Sequence, residues 1–126
     1  MALADEIKAA HATARNYPDL ADKLIYAGIL SYTVDVATGT ILYRLQNGAL
    51  HLQTSNAAAR EIAPAFNEAL TITAIRDNQQ GKTDYSGFIS SIAQAGVRFY
   101  EATLNGNSKR VTYIGTGGFY EEMIPV

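Results

Sequence analysis

A chain of 126 residues, 48% apolar and 17% charged, has the length of one domain (1–126) and enough apolar side chains to build one core. With no Cys it has no disulfide framework, thiolate zinc site, iron–sulfur cluster or cysteine nucleophile. The net charge of −2 is evenly spread, with five basic and six acidic residues in 1–62 and the same numbers in 63–126, so the clustered Lys and Arg of a nucleic-acid surface are missing and no nucleic-acid partner is expected.

In chain order, Leu3, Ile7, Ala10 and Ala14 fall at helical spacing and predict a helix over Leu3–Arg15. Asn16-Tyr17-Pro18 breaks it and supplies a cap with a proline suited to a first turn, so a second helix runs through Leu20, Leu24 and Ile25 to a left-handed C-terminal glycine, Gly28. Alternation of Leu30, Tyr32, Val34 and Val36 with Ser31, Thr33 and Asp35 predicts a half-buried strand over Ile29–Val36. Turns at Ala37-Thr38-Gly39 and Asn47-Gly48 then lead to strands over Thr40–Leu45 and Ala49–Gln53.

Shifting the sequence by 68 positions places Ile7 on Ile75, Tyr17 on Tyr85, Leu24 on Ile92, Gly28 on Gly96 and Tyr32 on Tyr100. A two-residue insertion near Asn105–Ser108 then brings Tyr43 onto Tyr113 and Gly48 onto Gly118. The second copy therefore predicts a helix over about Asn67–Gln80, a break at Gly81-Lys82-Thr83-Asp84, a helix through Phe88, Ile89, Ile92 and Ala93, and three more strands. Their parts are a first strand with Tyr100, Ala102 and Leu104 on one face, a turn at Asn105-Gly106-Asn107, then Arg110–Ile114 and Phe119–Met123. The fold class is α+β: two tandem ααβββ repeats (about 3–53 and 67–123) with antiparallel sheet or sheets covered by helices. A connector, 54–66, joins them, with Ala57–Arg60 suited to a short helical turn. One six-stranded sheet and two three-stranded sheets both satisfy this pattern.

The segments Ala27–Thr40 and Asn78–Tyr85, the stretch Phe88 through Ala95-Gly96-Val97, and the ending Glu121-Glu122-Met123-Ile124-Pro125 resemble the YbcV-like family, a domain of unknown function that carries the label "phage envelope protein". The resemblance spans nearly the whole chain and implies domain limits but no activity. Two departures stand out: Asn78 stands where the family tends to have His, and the Asn105–Arg110 region is longer than the family's last hairpin.

Motifs with chemistry are few. Taking Gly81 as the turn glycine of a calcium loop puts Arg76 and Gly87 where the two key carboxylates belong, which excludes the loop. Gly115-Thr116-Gly117-Gly118 is followed by a strand pattern rather than a helix, so it reads as a hairpin turn and not as a phosphate cradle. Neither His11 nor His51 has the neighbours of a metal site or a catalytic triad, and no cofactor or metal is expected. His51 alternates with Leu50 and Leu52, which points it toward solvent or a groove while the leucines face the core. Asp35 lies on the polar strand face, matched by Glu101 and Thr103 in the second copy.

Tyrosine is the most suggestive residue, with eight in the chain. Tyr32 and Tyr100 keep phase with core positions, whereas Tyr43 and Tyr113 are equivalent second-strand residues suited by their amphipathic rings to a ligand cleft or interface. The ligand or interface candidates are therefore Asp35, Tyr43, His51 and Tyr113, lining a groove between the repeats. The favoured function is a non-enzymatic module that binds a protein or small ligand there. The alternatives are a small enzyme using His51 or Asp35 as acid and base, and a self-associating structural protein, with homodimerisation through an exposed sheet edge left open. The longest apolar run, Leu24–Leu30, is far short of the ~20 residues of a membrane helix. An acidic start, Asp5-Glu6, lacks the basic region and apolar core of a secretory signal, so a cytoplasmic location is expected.

Overall fold

The computed structural model describes residues 3–55, 58–104 and 109–124. Four helices and six strands follow one another as α1 (Leu3–Thr13), α2 (Tyr17–Tyr26), β1 (Ile29–Asp35), β2 (Ile41–Leu45), β3 (Leu50–Gln53), α3 (Glu68–Gln79), α4 (Tyr85–Gln94), β4 (Val97–Thr103), β5 (Arg110–Gly115) and β6 (Gly118–Met123). The predicted helix–helix–strand–strand–strand order thus occurs twice. The turn predicted at Asn105-Gly106-Asn107 lies outside the described residues.

Helix boundaries follow from side-chain caps. The Asn16 carboxamide oxygen accepts from the Asp19 backbone N–H at 2.9 Å, and the Asp19 carboxylate in turn accepts from the Arg15 N–H at 3.0 Å. This reciprocal pair draws Arg15 into the start of α2, which explains why α1 ends at Thr13 and not at Arg15 as expected. Asp84 caps α4 in the same way, accepting from Gly87 N–H at 2.7 Å, and Asn67 caps α3 through Leu70 N–H at 3.0 Å. Both strand-leading glycines, Gly28 and Gly96, have positive φ, 93° and 84°.

All six strands form one antiparallel sheet in the order β3-β2-β1-β4-β5-β6, which decides between the two arrangements left open by the sequence. The two halves join through β1 and β4, and the register there is centred on Thr33 opposite Glu101. These residues are 68 positions apart, the shift found in the sequence. The helices pack in pairs, α1 on α2 and α3 on α4, over one face of the sheet. Beneath them Ile7, Leu24, Ile29, Val34, Val36, Ile92, Val97 and Leu104 are almost wholly removed from water in a single apolar cluster.

The other face carries a polar band across the middle of the sheet. Thr33 donates to Glu101 at 3.2 Å and accepts from Arg44 at 2.9 Å, while Thr112 donates to Glu121 at 2.8 Å. Arg44 pairs with Glu101 at 3.5 Å and Arg110 with Glu121 at 3.2 Å.

The connector is an extended strap. Residues 58–60 are not helical, contrary to the expected turn at Ala57–Arg60, whose first residue lies outside the described residues. Instead the Arg60, Ala63, Phe66 and Asn67 N–H groups donate to the Ala37, Ala93, Thr116 and Ala95 carbonyls at 2.8–3.1 Å. These bonds run from the first half to the second and satisfy backbone groups that a short helical turn would have satisfied internally. Phe66 lies directly over Gly115 and Gly118, where an added Cβ would meet its ring at 2.8–2.9 Å.

Candidate functional site

The helix-covered sheet face is floored with phenols, because the tyrosine positions share the inward phase of the alternation. Tyr43 stands opposite Tyr32 in the β1–β2 register, and Tyr100, Tyr113 and Tyr120 face one another across β4, β5 and β6. Ring centroids are 5.6 Å apart for Tyr32–Tyr43, 5.4 Å for Tyr100–Tyr113 and 6.4 Å for Tyr113–Tyr120, a spacing at which aromatic rings attract. From above, α2 and α4 each contribute one tyrosine at their first residue. The Tyr17 hydroxyl is hydrogen-bonded to the Tyr32 hydroxyl, and Tyr85 lines the same cavity as Tyr100, near enough for each phenol to perturb the other's titration.

Between the two helix pairs and this floor lies a cavity of about 720 Å³. Its walls are Tyr17, Tyr32, Tyr43, Tyr85, Tyr100 and Tyr113, with Ile41, Ile75, Phe88 and Val111 as apolar filling and His11, Asn78 and Glu122 among its polar margins. The volume lies in the range of small-molecule pockets.

Hydrogen bonding divides the phenols into two kinds. Tyr17 and Tyr32 satisfy each other. The Tyr43 and Tyr113 hydroxyls have no hydrogen-bond partner among the described residues, although both residues are over nine-tenths buried, at 1% and 6% exposure. Neither is a sealed, unsatisfied atom, so each reaches the open space of the cavity that both residues line.

Electrostatics keep the interior neutral. Burial raises the titration of Tyr17 to about 12 and pushes Tyr32, Tyr43, Tyr100 and Tyr113 further up, with neighbouring phenols adding to the effect at each of the last four. At the β6 margin Glu122 accepts from the Arg76 guanidinium and, at 3.1 Å, from Tyr120, so its charge is compensated locally. Partial burial lowers the His11 pKa below its ordinary value, favouring the neutral imidazole at the cavity margin. Asn78 donates to the Thr83 carbonyl at 3.1 Å and so braces the α3–α4 turn. Among the described residues no group of three or more His, Asp or Glu is arranged to hold a metal ion.

The four residues singled out from the sequence do not share one groove. Tyr43 and Tyr113 meet at the cavity. Asp35 is exposed at the far end of β1, where its carboxylate accepts from Ala37 N–H at 3.1 Å and shapes the following turn. It lines a separate hollow of about 380 Å³ with Arg98, Pro64 and Thr116. Its expected counterpart Glu101 is committed to Arg44 and Thr33, so the two carboxylates do not form an acid/base pair. His51 is half-buried opposite Tyr43 on the inward face, with ring centroids 5.9 Å apart, beside the cavity rather than in it.

The assignment of Leu50 and Leu52 to the core is corrected by this register. They point to the open face at 67% and 59% exposure. Pairing with β2 sets the phase, and Tyr43 on the inward face requires His51 to be inward too.

Tyr17, Tyr32, Tyr85 and Tyr100 belong to the site although sequence reasoning assigned the strand pair to packing and gave the helix pair no role. Their signal was present in the 68-residue shift, which matches Tyr17 with Tyr85 and Tyr32 with Tyr100. What the shift does not show is that the helix tyrosines and the strand tyrosines line one cavity, with Tyr17 bonded to Tyr32.

No helix among the described residues is long and apolar enough to cross a membrane. No curated protein matches the chain. A family profile described as "Protein of unknown function (DUF1398)" matches residues 5–118, which takes in α1 from its third residue, the other three helices, the first five strands and every tyrosine of the cavity. The chain belongs to the DUF1398 family.

Proposed function

We propose that the protein is a non-catalytic binding module that takes a small molecule into the tyrosine-lined cavity between its two helix pairs. One observation supports this reading: two buried tyrosines, Tyr43 and Tyr113, present hydroxyls without a hydrogen-bond partner among the described residues to a cavity of about 720 Å³. A hydroxyl that opens on a cavity is left able to donate to and accept from a molecule that enters it, and two such groups at one cavity suit a partner that arrives from outside.

The same reading treats the two ααβββ halves as internal repeats related by a local two-fold between Thr33 and Glu101. Each repeat then supplies one helix tyrosine, one central-strand tyrosine and one second-strand tyrosine to a shared site. The finer likeness to the YbcV-like family belongs to this proposal as kinship only and brings no chemistry to it.

Native mass spectrometry of protein purified gently from its own host tests the reading. A discrete added mass is expected, and it should be absent from Leu20→Trp, which places a large side chain at a half-buried position on the cavity wall. An added mass that survives in this variant would locate the ligand elsewhere.

A further inference from the structure

The proposed cavity also constrains what it would hold, and the following inference rests on that reading. We infer that the ligand is an uncharged ring compound carrying hydrogen-bonding oxygens at two separated points, held between the Tyr43 and Tyr113 hydroxyls.

The separation follows from topology. Tyr43 is on β2 and Tyr113 on β5, with β1 and β4 between them, so their backbones are three strand spacings, roughly 14 Å, apart. Both residues line the same cavity as Tyr17, whose side chain descends from α2 between them. A ligand in that space meets one free hydroxyl from each side.

Ring character follows from the walls. Phe88 and the tyrosine rings offer faces and edges that a flat aromatic body contacts at little entropic cost, and Ile41, Ile75 and Val111 fill the remainder. Charge is disfavoured because the centre of the site offers phenols that stay neutral, while Glu122 at the margin is already matched by Arg76. Arg15 at the rim is largely exposed and pairs with Asp19, so an ionic group at the centre would lose water without gaining an opposite charge beside it. Hydroxyl or carbonyl oxygens suit the site, because a phenol O–H both donates and accepts.

Three probes of one shape separate these elements: a naphthalenediol with one hydroxyl on each ring, naphthalene itself, and the matching naphthalenedisulfonate. Equilibrium dialysis against the full chain gives each affinity. The diol is expected to bind about tenfold or more tighter than naphthalene, and the disulfonate not measurably, since two hydrogen bonds and a desolvated charge set the differences.

Tyr43→Phe and Tyr113→Phe should each weaken the diol by about three- to tenfold and leave naphthalene unchanged. Neither hydroxyl has a partner to lose among the described residues, so the melting temperature of both variants should match the parent and confirm that they are folded. Equal binding of diol and naphthalene, retention of the disulfonate, or indifference of the diol to both substitutions overturns the inference while leaving a binding cavity in place. Failure of all three probes to bind overturns the inference, while the binding reading stands or falls on the retained mass.

Discussion

The Tyr17 hydroxyl at the first residue of α2 is hydrogen-bonded to the Tyr32 hydroxyl in the middle of β1. The contact ties the start of a helix to the sheet beneath it, at a residue 5% exposed to water. Removing one oxygen strands the other. Tyr17→Phe and Tyr32→Phe are each expected to lower stability by about 1–2 kcal/mol, because the surviving hydroxyl keeps its desolvation cost without its bond. Tyr17→Phe/Tyr32→Phe should cost less than the sum of the two, since it leaves no unpaired hydroxyl. Urea unfolding of the four proteins gives the coupling energy directly, and strict additivity would show that the bond contributes nothing.

Gly96 and Gly117 make a matched pair for a second prediction. Both have φ of +84°, so an alanine at either position pays the same backbone strain, about 1–2 kcal/mol. Around Gly117 there is open space, whereas a Cβ on Gly96 would lie 2.3 Å from the Ala65 carbonyl oxygen in the strap. Gly117→Ala should therefore fold with a modest loss. Gly96→Ala must in addition displace the strap, together with the bonds that Ala63, Phe66 and Asn67 make across the end of the sheet. Its denaturation midpoint should fall well below that of Gly117→Ala, and equal midpoints would mean the strap is not fixed there.

Alkaline pH tests the neutrality of the cavity. An unfolded tyrosine titrates near 10, and burial raises Tyr17, to about 12, together with Tyr32, Tyr43, Tyr100 and Tyr113. The folded state thus favours the protonated phenol. Its contribution to stability is complete below the unfolded value and is lost as pH rises through the folded values. Stability to urea should hold steady with respect to these groups up to about pH 10 and then decline, with tyrosinate absorbance rising together with loss of circular dichroism. Tyrosinate formation by the whole set before any unfolding would show the phenols to be open to water.

The fold was legible where local chemistry and tertiary packing agree. Asn16, Asp84, Gly28 and Gly96 punctuate the helices by caps and positive φ, and these act within a few residues, so spacing reveals them. Joining of the halves was not legible, because β1 and β4 pair through backbone groups that every strand possesses. Tyr43 and Tyr113 could be identified as equivalent positions, but Asp35 could not be separated from them. Alternation assigns a residue to a face of its own strand and says nothing about distance along the sheet, and Asp35 is on the open face at its far end.

The outer strand β3 shows the same limit in a form that mutation can test. Leu-His-Leu alternation suggests buried leucines, yet β3 takes its phase from β2, where Tyr43 is inward. An edge strand of four residues has too little apolar surface to override that pairing. Leu50→Ser and Leu52→Ser are therefore expected to change stability by less than about 0.5 kcal/mol, as exposed positions do. Leu24→Ala, at 1% exposure in α2, should cost about 2–5 kcal/mol. His51→Ala falls between them, because it removes a half-buried ring from the edge of Tyr43. Thermal unfolding of these variants ranks the three classes. A large loss at Leu50 or Leu52 would mean that β3 is paired one residue out of step, with His51 turned to the open face and Tyr43 without its outer aromatic neighbour.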